Sequence, residues 1–277
     1  MIKCLPIIVS IFCLLAFLPE GVAGKKEEPS DIEEARHAMM TRDYLEAEKS
    51  FERYLRHNPE GEDRWDVWNN LVDLALSVRN DRKAGIELLE AMLIEYTDIP
   101  KKKRYINGKL AEQYRIVRNY DRALTLWSSI AEDKDADTAD RGKACRSLAT
   151  VYFRRLEFEL AKESLGYCLS LDVSDAIRAE CLYDLAQTHV GTGDLDKASA
   201  CFREVLMLGN ISESIRTLTV FMLADVLDLK GEDEEALSLF VSISETYPNR
   251  KVVERRIGFL KRKYKKGPQS PAGQGRK

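Results

Sequence analysis

The sequence predicts an all-α solenoid, a stack of helix pairs, and three observations lead to this fold class. A short pattern built around an alanine recurs six times at nearly constant spacing. Each copy is followed by an apolar stripe with the period of a helix. Gly and Pro are few, with 15 and 8 among 277 residues. A β-sandwich or barrel needs turn residues about every 8–12 positions, so these classes are disfavoured.

The interval between successive repeated alanines is nearly constant and varies by no more than two positions along the chain. A large apolar residue follows four positions after each alanine, and a second core residue follows seven positions after it, which is one buried face of a helix. The alanines are Ala47, Ala84, Ala123, Ala161, Ala198 and Ala236, followed at the first position by Phe51, Leu88, Trp127, Leu165, Phe202 and Phe240, and at the second by Tyr54, Ala91, Ile130, Cys168, Val205 and Ile243.

A second apolar stripe precedes each alanine from the second copy on, as in Leu110-Ala111-x-x-Tyr114. A small residue inside this stripe lets the two helices approach closely, which predicts an αα-hairpin in each copy. We expect six units at about residues 31–61, 62–99, 100–135, 136–173, 174–211 and 212–248. Residues 249–266 are expected to form a basic capping helix, and residues 267–277 a disordered tail.

Residues 1–24 have the layout of a cleaved secretory signal peptide. Lys3 precedes an apolar run from Cys4 to Leu18, and Pro19 and small residues follow. The run is shorter than the roughly 20 residues of a membrane-spanning helix. We expect cleavage after Ala23 or Gly24, a polar linker over residues 25–30, and a periplasmic or secreted protein; an uncleaved anchor is the alternative.

The two stripes resemble the tetratricopeptide repeat family, whose pattern is W-x₂-L-G-x₂-Y, then A-x₃-F, then P. The resemblance covers about residues 31–248, although only Pro59 and Pro248 match the final proline. The units are also longer than the roughly 34 residues that are usual in the family. The resemblance implies thirteen helices in a right-handed superhelix. It also implies that the first helix of each unit lines a concave groove that binds a protein or peptide.

By register, the resemblance places a set of mixed polar, charged and aromatic residues in that groove. Such a surface suits an extended or helical peptide, with rings as anchors and Arg as carboxylate partners; a merely solvated face is the alternative. No three successive first helices carry the residues with which some family members clamp the C-terminal carboxylate of chaperones. The groove positions are Asn69, Asp73, Glu112, Arg115, Arg146, Thr150, Phe153, Arg154, Tyr183, Gln187, Phe221, Asp225 and Asp228.

No catalytic, cofactor or metal motif emerges from the sequence, so we expect no enzyme and no cofactor. The three histidines are far apart, and His189 replaces the aromatic residue of the repeat pattern. Asp133 opens a calcium-like run that lacks the glycine and glutamate a calcium loop needs. Cys168 and Cys181 flank the turn at Ser174 and are candidates for a disulfide in an oxidising compartment. Ordinary buried thiols are the alternative.

The charge is unevenly distributed, since residues 250–277 carry eleven Lys or Arg and one acid while the whole chain has a net charge of −3. The basic tail could bind anionic lipid or a cell-wall polymer through charge, and nucleic acid is not an expected partner. We therefore expect a scaffold of the cell envelope that binds a protein in its groove. The alternative is an accessory subunit held to anionic envelope surfaces by Lys261, Arg262, Lys263, Lys265 and Lys266.

Overall fold

A computed structural model describes residues 30–265, so the predicted signal peptide and disordered tail lie outside the described residues. Within this range the chain forms thirteen α-helices and no strand, which confirms the predicted all-α class. The helices are α1 Asp31–Thr41, α2 Tyr44–His57, α3 Arg64–Asp73, α4 Arg82–Glu95, α5 Pro100–Ile116, α6 Tyr120–Ala131, α7 Thr138–Arg154, α8 Phe158–Ser170, α9 Asp175–Gly191, α10 Leu195–Met207, α11 Glu213–Lys230, α12 Asp233–Ser242 and α13 Arg250–Lys265.

The chain divides into two compact units, the first ending at Val67. In this first unit α1 packs on α2. The N-terminus of α1 is closed by a capping box, in which the Ser30 hydroxyl accepts from the Glu33 amide and the Glu33 carboxylate accepts from the Ser30 amide. Arg53 of α2 donates to Asp31 of α1 over 2.5 Å. The first helix pair is therefore held by a buried apolar face and a charged edge.

The second unit, from Trp68 on, is a solenoid in which each helix from α4 to α13 packs on the next. The first helices of successive pairs also meet, because α9 contacts both α7 and α11. Helix α13 closes the stack, with Val253 and Leu260 buried in the core that it shares with α11 and α12. None of the described helices is long and apolar enough to cross a membrane.

Six residues in the left-handed conformation mark the turns between the two helices of each pair. They are Arg42, Asn80, Arg118, Leu156, Gly193 and Gly231. The next residue is always Asp, Asn or Glu and opens the second helix. The side chains of Asp43, Asp81, Asn119 and Asp194 accept from a backbone amide of that helix. The intervals between these turns vary by one position only, so the turns give the repeat a more regular period than the alanines do.

The second pair corrects the predicted core. Five residues after Asn80 comes Gly85, which is buried, and its stripe continues through Leu89 and Met92. The expected core residues Leu88 and Ala91 are therefore wrong by one position, since Leu88 is half-buried and Ala91 is exposed.

The first helix of this pair also differs from the others, because a π-helical turn, Leu74–Val78, follows α3. In the other five pairs the amide of the capping residue bonds to the carbonyl five residues back, but the Asp81 amide bonds to Ala75, six residues back. One extra residue therefore separates the first-helix stripe from the second helix. The same turn places Leu76 against Gly85, where a Cβ atom would lie 2.2 Å from Leu76 Cδ2.

A disulfide links Cys168, in the last turn of α8, with Cys181 of α9, and the two sulfur atoms are 2.10 Å apart. Both residues are fully buried. Cys145 and Cys201 are free thiols, and burial raises the pKa of the Cys145 thiol to about 11. The bridge closes a loop over a separation of 13 residues and ties the fourth helix pair to the fifth.

Gly85→Ala is expected to destabilise the protein, because the new methyl group overlaps Leu76 in a packed interface. Overpacking of this kind costs about 1–3 kcal/mol of unfolding free energy, measurable by urea denaturation. Adding Leu76→Ala should recover part of the loss of Gly85→Ala.

Gly166→Ala in α8 is the matched control. No atom lies within 4 Å of the added Cβ there, and Ala exceeds Gly in helix propensity by up to about 1 kcal/mol. If Gly85→Ala raised stability as much as the control does, the close contact with Leu76 would be refuted.

Cys168→Ser with Cys181→Ser should lower the free energy of unfolding by about 3 kcal/mol in the chain-entropy model for so short a loop. Urea denaturation of the oxidised protein and of the double variant gives this difference. Adding a reductant should destabilise the natural protein and leave the variant unchanged. Reaction of Cys168 and Cys181 themselves with iodoacetamide in the unreduced, unfolded protein, located by peptide mapping, would show that the bridge is absent.

Candidate functional site

One face of α7 carries four of the predicted groove residues, more than any other helix, and none of the four is buried. The helix begins at Thr138 after Asp137, whose carboxylate accepts from the Asp140 amide over 2.6 Å. Residues three and four apart share a face of a helix. One stripe of α7 therefore contains Lys143, Arg146, Ser147, Thr150, Phe153 and Arg154. We call this stripe, with Glu112 and Arg115 of α5 and Asp184 and Gln187 of α9, the α7 groove.

Two cavities lie on either side of this stripe. The first, of about 280 Å³, separates α7 from α5 and is lined by Glu112, Arg115, Lys143, Arg146, Ser147 and Thr150. The second, of about 290 Å³, separates α7 from α9 and is lined by Ala149, Thr150, Phe153, Arg154, Leu165, Asp184, Gln187 and Thr188. Because Thr150 lines both cavities, they adjoin in the C-terminal half of α7. The first has mainly polar and charged walls, whereas the second also has apolar ones.

Arg146 holds α7 to α9 at the boundary of the two cavities. Its Nε atom donates to Asp184 over 2.6 Å, and its Nη1 atom donates to Glu180 over 2.9 Å. Burial raises the pKa of the Asp184 carboxyl, against the opposing effect of Arg146. Arg146 was predicted to bind carboxylates of a partner, but in the structure it binds two carboxylates of this chain.

Similar contacts join other first helices one repeat apart. Lys109 of α5 donates to Asp73 of α3 over 3.4 Å, and the Tyr105 hydroxyl donates to Asn69 over 3.2 Å. Arg115 instead bonds to Glu112 of its own helix, with its Nε atom 2.8 Å from the carboxylate. Much of the polar surface that was predicted to face a partner thus links neighbouring helix pairs.

Two of the three aromatic residues that were predicted to anchor a partner are buried in the core. Tyr183 is buried against Phe202, with ring centroids 5.5 Å apart. Phe221 is buried between Phe240 and Tyr247. Both rings pack on the second helix of their own pair, so they belong to the core. Phe153 is half-buried, packs edge-on against Phe158 and lines the second cavity.

Helix α11, the first helix of the sixth pair, is joined to the basic helix α13 by ion pairs. Asp225 of α11 lies 3.1 Å from Arg256. Lys263 is 3.2 Å from Asp228 of α11 and 2.6 Å from Asp233 of α12. Part of the basic tail is thus neutralised by the acidic body, while Lys261 and Arg262 stay exposed.

Of the other two tail residues, Lys265 ends α13, and Lys266 lies outside the described residues. Among the tail residues whose side chains are described, Lys263 is the one that acids of the body already pair with.

The described residues hold no group of acids, histidines and cysteines that could bind a metal ion. His57 lies 3.0 Å from Asp31 at the surface of the first unit. His189 is buried, and desolvation lowers the pKa of its imidazole. Asp133 accepts from Arg104 over 2.9 Å and from the amide of Asp135. These groups take part in structural contacts at separate places.

Sequence reasoning missed three residues of the α7 groove, which are Lys143 and Ser147 on α7 and Asp184 on α9. It also missed Glu180, which binds Arg146. A usable signal existed for the three groove residues. Asp184 follows Arg146 by 38 residues, one repeat length, so opposite charges at the repeat spacing indicate contact between neighbouring first helices. Lys143 and Ser147 lie three positions before Arg146 and Thr150, so helical spacing already places them on the same face of α7.

Solved structures with the same fold support the repeat assignment. The type IV pilus biogenesis factor PilW has a TM-score of 0.57 and 15% identity over 81% of this chain and 96% of its own. PilF of Pseudomonas aeruginosa has a TM-score of 0.55 and 12% identity over 84% and 96%. BtubC from P. vanneervenii has a TM-score of 0.59 and 16% identity over 86% and 96%. At these identities the likeness concerns the fold alone.

The family described as tetratricopeptide repeat matches residues 179–208, which run from α9 into the loop after α10. No curated protein sequence matches the chain significantly. The tetratricopeptide-repeat fold is in general that of a protein-interaction scaffold and is typically non-catalytic. Together with the six helix pairs and their constant turn spacing, this match over residues 179–208 supports a tetratricopeptide-repeat protein.

Proposed function

We propose that this protein is a non-enzymatic adaptor of the cell envelope that binds a segment of a partner protein in the α7 groove. The observation that carries the proposal is the pair of adjoining cavities on the two sides of α7, which share Thr150. Together they offer a polar and partly apolar channel along one helix face. Repeat proteins use extended surfaces of this kind for binding.

The lining of the channel favours a peptide segment over a small apolar ligand. The first cavity is walled by Glu112, Arg115, Lys143 and Arg146, so a ligand must supply polar groups there. The second cavity offers Phe153 and Leu165 beside Gln187. A chain segment can satisfy both, since its backbone and polar side chains hydrogen-bond while one apolar side chain is buried.

Two features support a place in the cell envelope. Residues 1–24 have the charge, apolar run and small residues of an export signal. The Cys168–Cys181 disulfide belongs to an oxidising compartment, because cytosolic thiols are kept reduced. We infer that the protein is exported and works as a mature chain from about Lys25.

The basic tail is the second candidate for function, through weak contact with anionic lipid or wall polymer. Lys261 and Arg262 are exposed and support it. The pairing of Lys263 with Asp228 and Asp233 weakens it, because those acids already compensate one of the tail charges. We therefore place partner binding in the α7 groove first.

Thr150→Trp tests this proposal, because an indole ring at that position fills the space between the two cavities. We expect mature wild-type protein to capture a dominant partner from the crosslinked envelope fraction of the source cell, and the variant to lose it. Capture is read by mass spectrometry.

Glu163→Trp is the matched control for this capture, since Glu163 is exposed on α8 and lines neither cavity. It should leave capture intact. The same captured proteins with Thr150→Trp as with the wild type would refute groove binding, and capture of lipid or wall material alone would favour the basic tail.

A further inference from the structure

Two cations of the α7 groove differ from its other charged groups. Arg115 is bound to Glu112, and Arg146 is bound to Glu180 and Asp184. Within residues 30–265, Lys143 and Arg154 have no carboxylate partner, and both are exposed. Lys143 lines the first cavity and Arg154 the second.

The acids in and beside the groove already bind arginines, so among the described residues the charged groups that remain without a partner there are positive. Glu112, Glu180 and Asp184 each accept from an arginine. The walls of the first cavity hold three bases, Arg115, Lys143 and Arg146, against one acid. This surface is unusual in a chain whose charge outside its basic end is strongly negative. A ligand that complements it carries carboxylates.

The spacing of Lys143 and Arg154 limits how those carboxylates are arranged. The two residues lie eleven positions apart on α7, which is about 16 Å along a helix axis and about 20° in rotation, so they share one face. An extended chain rises about 3.3 Å per residue and turns alternate side chains to the same side. Two acids on one side reach both cations when they are four or six residues apart.

An apolar side chain fits between the two acids. The second cavity has walls from Ala149, Phe153 and Leu165, close to Arg154. Position i+2 of an extended segment points to the same side as i and i+4. An apolar residue there enters the cavity while the flanking acids approach Lys143 and Arg154.

We propose that the partner segment of the α7 groove is an extended acidic motif, with two acidic residues four or six positions apart and an apolar residue between them. This inference rests on the proposed groove function and adds the chemical class of the ligand. It assigns Lys143 and Arg154 as its charge-recognition residues. Arg146 positions α9 against α7 and does not contact the acids of the ligand.

The test uses a fluorescein-labelled peptide, Ser-Thr-Glu-Ser-Leu-Ser-Glu-Ser-Thr, and the full mature protein, with binding read by fluorescence anisotropy. We expect saturable binding that weakens as the salt concentration rises from about 50 to about 500 mM, as for exposed ion pairs. Lys143→Glu with Arg154→Glu should weaken binding by about tenfold or more. A peptide with the two Glu residues only two positions apart should bind several-fold more weakly than the parent peptide.

Lys134→Glu is the matched control, since Lys134 is exposed in the loop before α7 and lines neither cavity. It should leave the affinity unchanged, and circular dichroism melts should show both variants folded. A charge exchange excludes a folding artefact, because Lys143→Glu or Arg154→Glu should regain affinity for a peptide with the matching Glu replaced by Lys. The absence of binding to the wild type, or equal affinities for all peptides, would overturn the acidic motif.

The two proposals fail in distinguishable ways. If Thr150→Trp abolishes partner capture but the acidic peptide does not bind, the groove binds a partner of other chemistry and only this inference is wrong. If the acidic peptide binds at Lys143 and Arg154 while partner capture survives Thr150→Trp, the recognition chemistry is present and the proposed adaptor function is wrong.

Discussion

The close approach of the two helices in each pair is the constraint on which the rest of the structure depends. A buried small residue five positions after the turn allows it in all six pairs, and the left-handed residue at the turn sets the reversal of the chain. Four of these turn residues are not glycine, and such a conformation costs about 1–2 kcal/mol for an L-residue. The fold sustains this cost because the turn joins two faces that bury a continuous core.

The α7 groove is a consequence of that packing in the second unit. When α7 packs on α8 and α9 packs on α10, the outward stripes of α7 and α9 come side by side. Opposite charges at one repeat length then pair, as Arg146 does with Asp184 and Glu180. The acids are therefore bound to arginines, and within the described part of the chain Lys143 and Arg154 remain without a carboxylate partner. The binding chemistry that we propose therefore rests on the two cations that the contacts between first helices leave without a carboxylate partner in that part of the chain.

Much of the fold could be predicted from periodicity, because alternating stripes and a constant repeat length constrain every helix pair in the same way. The register of the second pair was predicted wrongly, because Ala84 has the residue type of the other copies. Ala84 lies 37 residues after Ala47 and 39 before Ala123, whereas Gly85 lies 38 residues from each. Gly85 fills the small position five residues after the turn, as alanine does in the other pairs, so the regular spacing carries the register better than the residue type does.

The site was predicted less completely than the fold. Register placed Arg146, Phe153 and Arg154 on the face of α7 that lines the two cavities. It also placed Tyr183 and Phe221 in the groove, whereas both rings are buried against the second helix of their own pair. The acidic partners of Arg146 depend on contact between neighbouring helix pairs, which a motif on a single helix does not encode.

Site-specific photocrosslinking in the source cell tests whether a partner binds in the α7 groove. A benzoylphenylalanine at Ser147 lies in the first cavity of the α7 groove, and one at Glu163 lies on the exposed face of α8. The account predicts that light joins the Ser147 position to one protein, through a segment with two acidic residues flanking an apolar one, and that the Glu163 position gives no such product. The same product from both positions, or a product from Glu163 alone, would contradict partner binding in the α7 groove.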